Sequence, residues 1–125
     1  MSHWTLGKTK ITDKGLLEQV AMDMGLQIEH KNKMTGDYTG TIDCEFIVSD
    51  GRGGELAVVK DEKDEYFIQM DNYYNSICDV VGEDATLLTR EYQTELHKRE
   101  AQAMGGVIAS QQVDSKGYVF LEVTI

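Results

Sequence analysis

The histidines and cysteines of this 125-residue chain are the side chains best suited to metal binding or nucleophilic catalysis. His3, His30 and His97 fall on different predicted elements, without the His-x-x-x-His spacing that places two ligands on one helix face. Cys44 and Cys78 have no neighbouring cysteine, so a zinc site would need ligands from widely separated places. We therefore expect no metal and no cofactor, and we interpret Cys44 as a small apolar residue of a strand.

Two of these residues could form a catalytic pair, but nothing in the sequence completes it. With Cys78 as nucleophile and His97 as base, a third group would have to orient the imidazole, and no motif supplies one. His3 could place an imidazole at the rim of a sheet, although a backbone hydrogen bond at a strand end is the simpler explanation. A small enzyme or ligand-binding domain with a pocket lined by His3 and His97 is kept as an alternative, and no catalytic residue is assigned.

Glycine-rich and acidic segments suggest two other kinds of ligand site. The sequence Gly-Arg-Gly-Gly at 51–54 would bind phosphate only if a helix followed it, whereas residues 55–59 have the pattern of a strand. The acidic runs at 61–65 and 83–84 lack the spacing of a calcium-binding loop. We interpret all three segments as solvated turns.

Hydrophobic periodicity predicts one α+β domain over residues 1–125. We expect a mainly antiparallel sheet of about six to seven strands, with two to three helices on one face. Thr12 or Asp13 is the expected cap of the first helix, which Gly25 ends, and Asp84 is the expected cap of the longest helix. The predicted strands are 3–11, 28–34, 41–48, 56–59, 66–70, 107–113 and 118–125, and the predicted helices are 16–24, 77–81 and 85–103.

A short pattern recurs along the chain at an offset of 80 residues. Ala21, Met24, Gly25 and Ile28 correspond to Ala101, Met104, Gly105 and Ile108, each time where a helix gives way to a strand. The recurrence is consistent with a pseudo-twofold strand–helix–strand–strand repeat. It is equally consistent with the common use of methionine and glycine where helices meet strands.

The charge of the chain is strongly negative and unevenly distributed. The 12 Lys and Arg residues stand against 22 Asp and Glu, a net charge of −10. Residues 61–84 alone contain eight acidic groups and one basic group. Such a surface repels phosphate backbones and anionic membranes, so we expect no direct binding of nucleic acid or membrane.

Several sequence features predict a cytoplasmic protein. Residues 1–15 lack the apolar centre of a signal peptide. No apolar run approaches the roughly 18 residues of a membrane span. Two cysteines are too few for a disulfide framework, which favours a reducing compartment.

The strongest functional signal is a group of aromatic residues beside the acidic run. Aromatic side chains next to a charged rim are typical of protein interfaces, although some of them could face the core instead. We therefore predict a small, non-catalytic protein that binds a macromolecular partner, most simply another protein. The predicted partner-binding residues are Asp61, Glu62, Asp64, Glu65, Tyr66, Phe67, Tyr73 and Tyr74.

The last two predicted strands suggest self-association. Strand 107–113 has no charged residue, and strand 118–125 has only Glu122. Exposed sheet edges are usually protected by charge, bulges or proline. We expect one of these strands to be central, with the other either paired internally or forming a homodimer edge in which Tyr118 and Phe120 face outward.

Three short motifs resemble a known family. They are the opening Met-Ser-His-Trp, Lys-Thr-Lys-Ile at 8–11, and Leu-Leu-Glu at 16–18 followed by Met24-Gly25. They resemble the uncharacterised family of conserved hypothetical chloroplast reading frames, shared by algal plastid genomes and cyanobacteria, whose members typically begin Met-Ser-His-Phe. The resemblance implies a compact α+β protein in a photosynthetic or cyanophage context, located in a cytoplasm, a plastid stroma or the cytoplasm of a viral host. It implies no activity, and a phage-encoded inhibitor that mimics nucleic acid is kept as an alternative function.

Overall fold

The computed structural model describes residues 11–36, 40–70, 75–113 and 119–124. Within these ranges the chain forms three α-helices, and a short 3₁₀ turn at Glu83–Ala85 joins the last two. The helices are α1 (Lys14–Asp23), α2 (Cys78–Val81) and α3 (Thr86–Ala103). The strands are β1 (Gln27–Glu29), β2 (Lys33–Gly36), β3 (Gly40–Asp43), β4 (Phe46–Ser49), β5 (Glu55–Lys60), β6 (Tyr66–Gln69), β7 (Val107–Val113) and β8 (Val119–Thr124).

The strands pair antiparallel and divide into three sheets. The largest has four strands in the order β1-β4-β5-β6, while β2 pairs with β3 and β7 pairs with β8. The predicted α+β class and antiparallel pairing are confirmed. The described strands form three sheets instead of the predicted single sheet of six to seven strands.

A bend divides the hairpin formed by residues 27–49. β1 pairs with β4 at its base and β2 with β3 at its tip, and between them the Cys44 amide donates to the Asn32 carbonyl at 2.9 Å. Phe46 faces the helices, whereas Met34 belongs to a second buried cluster with Ile47. Strict alternation along the predicted strand 41–48 would place residues 42, 44, 46 and 48 on one face. Instead, Ile42 and Cys44 pack against the second cluster and Phe46 and Val48 belong to the main core, because the hairpin changes direction at residues 44–45, outside β3 and β4.

The main core lies between the helices and one face of the four-stranded sheet. Leu17 and Ala21 of α1 and Leu88 of α3 are fully buried there. Apolar burial of this kind is the largest favourable term in folding. The sheet contributes Phe46, Val48, Leu56 and Val58, and the segment around α2 contributes Ile77 and Val81.

The start of α1 is fixed by two side chains far apart in sequence. Asp13 is the N-cap, as predicted, and its Oδ1 accepts from the Leu16 amide at 3.0 Å. The buried Tyr92 hydroxyl of α3 accepts from the amides of Thr12 at 3.2 Å and Asp13 at 3.1 Å. Tyr92 therefore joins α3 to the first turn of α1 through the core.

The start of α3 differs from the expected cap. Asp84 and Ala85 both have left-handed backbone angles, with φ of 55° and 56°, and no side chain caps the helix. An N-cap normally has extended backbone angles and a side chain that accepts a hydrogen bond. Neither is present here, so the prediction that Asp84 caps this helix is wrong. The buried Ala85 occupies the capping position instead, and the Thr89 hydroxyl donates to its carbonyl at 3.0 Å.

The recurring pattern corresponds to two helix ends of the same geometry. Gly25 and Gly105 have φ of 84° and 83°, and their amides donate to the carbonyls of Met22 and Gln102 at 2.9 and 3.0 Å. These are the bonds of a glycine-terminated helix. Each helix end also leads into an antiparallel hairpin, β1–β4 after α1 and β7–β8 after α3, although only the first contributes strands to the four-stranded sheet. The strand predicted before α1 lies outside the described residues except for Ile11, so the repeat stays a prediction.

The strands at the two ends of the chain are only partly described. Ile11 is the one described residue of the predicted strand 3–11, and its carbonyl accepts from the Tyr66 amide at 2.7 Å. In the described part of the chain neither β7 nor β8 is central, since they form a separate two-stranded sheet that contacts α3. Tyr118 and the side chain of Phe120 lie outside the described residues.

Replacing Tyr92 with Phe tests the bond between α3 and α1. The substitution keeps the ring but leaves the Thr12 and Asp13 amides without their buried acceptor, so we expect the free energy of unfolding to fall by about 1–2 kcal/mol. Urea denaturation monitored by circular dichroism measures it. An unchanged midpoint would mean that these amides are satisfied in another way.

Candidate functional site

The acidic run forms the turn between β5 and β6, and one of its own acids holds it in shape. The Asp61 carboxylate accepts from the amides of Lys63 at 2.8 Å and Glu65 at 3.0 Å. The Asp61 amide also donates to the Glu65 carbonyl at 2.8 Å. Asp61 is therefore a structural residue of the turn as well as a source of charge.

A second acid of the turn is paired with a strand residue. The Lys60 ammonium lies 3.2 Å from the Asp64 carboxylate. The hydrogen bond with Asp64, reinforced by its charge, raises the pKa of Lys60 above its usual value. Glu62 is exposed at the tip of the turn, whereas Glu65 is half-buried, so Glu62 presents its charge to solvent more openly than Glu65.

The two aromatic residues of β6 lie on opposite faces of the sheet. Tyr66 is half-buried and packs against the core beneath the helices. Phe67 lies on the other face with 45% of its surface exposed, directly across from Val59 of β5. Of this pair only Phe67 offers a large apolar surface, and the predicted Tyr73 and Tyr74 lie outside the described residues.

Phe67 extends an apolar surface that begins under the bent hairpin. Ile47 and Ala57 are buried on this face beneath Met34 of β2, and Val59 is half-buried beside them. Phe67 continues the row onto β6, the edge strand of the sheet order. Sequence periodicity did not predict that Val59 belongs to this apolar surface, because it gave no indication of which sheet face the bent hairpin of β1–β4 would cover.

The cysteine and histidine candidates lie on separate elements, Cys78 at the start of α2 and His97 in α3. His97 is on α3 with its side chain 61% exposed, and its Nδ1 lies 3.6 Å from a Glu100 carboxylate oxygen. Burial, followed by the charges of Asp79, Glu83 and Asp84, raises the pKa of the Cys78 thiol. An activated cysteine requires a lowered pKa, so Cys78 lacks the environment of a nucleophile.

Cys44 and the acidic residues likewise lack the environment of a reactive thiol or a metal site in the described segments. Burial, then the charges of Asp43 and Glu45, raises the pKa of the Cys44 thiol, whose Sγ donates to the Lys31 carbonyl at 3.4 Å. In the segments that the structure describes, no group of three or more His, Cys, Asp or Glu side chains is placed to hold a metal ion. The predicted His3 lies outside those segments.

The glycine-rich loop is followed by β5, as expected for a turn. The acidic residue that precedes the loop, Asp50, is buried. The Asp50 side chain is only 2% exposed. Its carboxylate accepts from the amides of Arg52 at 2.7 Å and Gly54 at 2.9 Å, and from the Ser76 hydroxyl. The loop is thereby joined to the segment before α2, a contact that the sequence pattern did not predict.

Neighbouring residues reinforce this contact. The Asn75 side chain donates to the Glu55 carbonyl at 2.9 Å and accepts from its amide at 3.3 Å, as a paired strand would do. A Cβ atom at Gly54 would lie 2.5 Å from both the Ile77 amide nitrogen and the Ser76 hydroxyl oxygen. The close approach of the two segments therefore requires glycine at position 54.

The Asp50 carboxylate stays charged in spite of its position. Burial on its own would raise the pKa of Asp50, but the hydrogen bonds from Ser76, Arg52 and Gly54, with the Arg52 guanidinium 3.8 Å away, lower it below its usual value. Hydrogen bonds to the charged form of an acid have this effect. The contact between the loop and the α2 segment therefore depends on ionised Asp50.

Alanine substitutions at two glycines test this close packing. We expect Gly54→Ala to lower the free energy of unfolding by about 1–3 kcal/mol, because the added methyl group has no room. Gly15→Ala in α1 is the matched control, since its added carbon would lie 3.6 Å from the nearest atom. There we expect an increase of about 0.5–1 kcal/mol. Equal effects in urea denaturation would contradict the packing described here.

The ionisation of Asp50 predicts a specific dependence of stability on pH. Because the folded pKa lies below the unfolded value of about 3.9, its contribution is complete above that value and is lost as the pH falls through the folded pKa. We expect Asp50→Asn to be less stable than the parent at pH 7, with a difference that shrinks on acidification below about pH 4. A difference that is constant from pH 7 to about pH 2 would contradict this role.

Among the described residues, no helix combines the length and apolar character needed to cross a membrane. Comparisons with protein-family models, with curated proteins and with solved structures found no match to this chain.

Proposed function

We propose that this chain is a small, acidic, non-catalytic protein that binds a protein partner through the surface formed by Val59, Glu62, Asp64 and Phe67, here called the hairpin surface. The observation that supports it most is the exposure of Phe67, 45% on a sheet face that is otherwise mostly covered. A large aromatic side chain beside a polar rim is the usual arrangement of a binding hot spot.

The acidic turn that leads into β6 suggests the chemistry of the partner. Glu62 is exposed at the tip of the adjoining turn, and the rigid backbone provided by Asp61 holds it in place. An apolar anchor bordered by carboxylates fits a partner with an apolar pocket surrounded by Lys and Arg residues. Such complementarity raises the rate of association and selects against acidic partners.

Mimicry of nucleic acid is less well supported by the distribution of the acids. A mimic needs many unpaired carboxylates spread over one face. Here Asp50 is buried, Asp61 is bonded to its own turn, Asp64 pairs with Lys60, and Asp79 lies 3.8 Å from Arg52. These acids are partly neutralised within the fold, which favours a local contact over an extended anionic surface.

The biological setting follows from the family resemblance and is part of the proposal. The Met-Ser-His-Trp opening and the other motifs suggest a photosynthetic organism or its phage, in which the protein would act in the cytoplasm or the plastid stroma. An enzyme is the less favoured alternative, because the raised pKa of Cys78 and the exposed position of His97 on α3 do not favour these two residues as a nucleophile and its base.

Site-specific crosslinking tests the hairpin surface. We expect a photoreactive phenylalanine analogue at position 67 to form one discrete adduct in an extract of the cells that encode the chain. The matched control is the same analogue at Met22 on α1, a position with a similar exposure of 48%. Adducts of the same mass and yield at both positions would contradict a specific surface.

Affinity measurements with the partner identified by crosslinking then distinguish the contribution of the apolar Phe67 from that of the charged residues beside it. We expect Phe67→Ser to weaken binding by at least about tenfold, as for a hot-spot residue. Glu62→Lys should mainly slow association at low salt, and Met22→Ser should change neither quantity. Asp61 is left unchanged because it maintains the turn. Wild-type affinity in the Phe67→Ser variant would refute the proposal.

A further inference from the structure

The second half of the chain contains a surface of opposite character to the hairpin surface. Residues 101–113 include no charged side chain and form the longest uncharged stretch in a sequence of net charge −10. This stretch covers the end of α3 and the whole of β7. Two copies of so acidic a chain repel one another, so an interface between copies is most favourable where the acids are absent.

Strand β7 also has an edge open to another strand, as far as the structure describes its neighbours. β7 and β8 form a sheet of only two strands among the described residues, so one edge of β7 pairs with β8 and the other has no described strand beside it. The edge of β6, which is also uncharged, is contacted by Ile11, whose carbonyl accepts from the Tyr66 amide. β8 contains the exposed Glu122, which leaves β7 as the edge best suited to pair with a second copy.

The outward face of this small sheet is accessible. Val107 is 65% exposed and lies across from Thr124, and Ser110 lies across from Glu122, to which its hydroxyl donates at 3.2 Å. A register shift between Ile108 and Ser110 interrupts the first part of β7. Residues 110–113 are regular and contain only Ser, Gln and Val.

We propose that β7 pairs antiparallel with β7 of a second copy, so that two hairpins form one four-stranded sheet across a twofold axis. Residues 110–113 provide the regular part of the contact, and the interface contains no acid from either strand. Antiparallel pairing of identical strands is self-complementary and closes at two copies. The contact is separate from the hairpin surface, so the failure of either proposal leaves the other standing.

Sedimentation velocity across a concentration series tests the pairing. We expect the parent chain to change from monomer to dimer between about 1 and 100 µM, since the strand contact is small. Added salt should strengthen association, because it screens the repulsion between two copies of charge −10. A parent chain that stays monomeric throughout, or an association that salt weakens, would overturn the proposal.

Matched substitutions on the two strands locate the interface. Gln112→Lys places a charge on the exposed side of β7 and should weaken dimerisation by at least about tenfold. Thr124→Lys adds the same charge to the exposed end of β8 and should leave dimerisation within about twofold of the parent. Gln112→Glu provides a second charged variant, and circular dichroism confirms that each variant is folded. Equal dimerisation by the two Lys variants would overturn the proposed edge.

Discussion

The four-stranded sheet has two apolar faces, and the described helices cover one of them. Every residue of β4 is buried, with Phe46 and Val48 under the helices and Ile47 on the opposite face. Antiparallel sheets commonly leave one face polar and wet, but this sheet does not. The bent hairpin supplies the missing cover by placing Met34 over that face. On the same face, Phe67 of β6 stays 45% exposed.

Local features of the fold were predictable because they depend on neighbouring residues. Asp13 caps α1 and Gly25 ends it, since both positions require backbone geometry that these residue types favour. The hairpin turns at 49–54 and 61–65 followed from glycine and acidic residues between apolar runs. The bend at residues 44–45 was not predictable, because strand alternation continues across it without interruption in the sequence.

The long-range polar contacts could not be inferred from the pattern. Asp50 and Ser76 are 26 residues apart, and Tyr92 bonds to amides about 80 residues away. Composition identified the acidic turn of the candidate site but could not separate Asp61, which bonds its own backbone, from Glu62, which faces solvent. The faces of Tyr66 and Phe67 follow from strand alternation only once the covered side of the sheet is known.

The Tyr92 hydroxyl has a consequence for the order in which the chain acquires structure during synthesis. A ribosome releases α1 and the six strands β1–β6 before α3, so the paired hairpins can form early, because their contacts are close in sequence. The Thr12 and Asp13 amides before α1 gain their Tyr92 acceptor only once α3 has emerged, and Leu17 and Ala21 lack the cover of Leu88 until then. Until α3 leaves the ribosome, the nascent chain therefore exposes the part of the apolar sheet face that α3 covers in the folded protein.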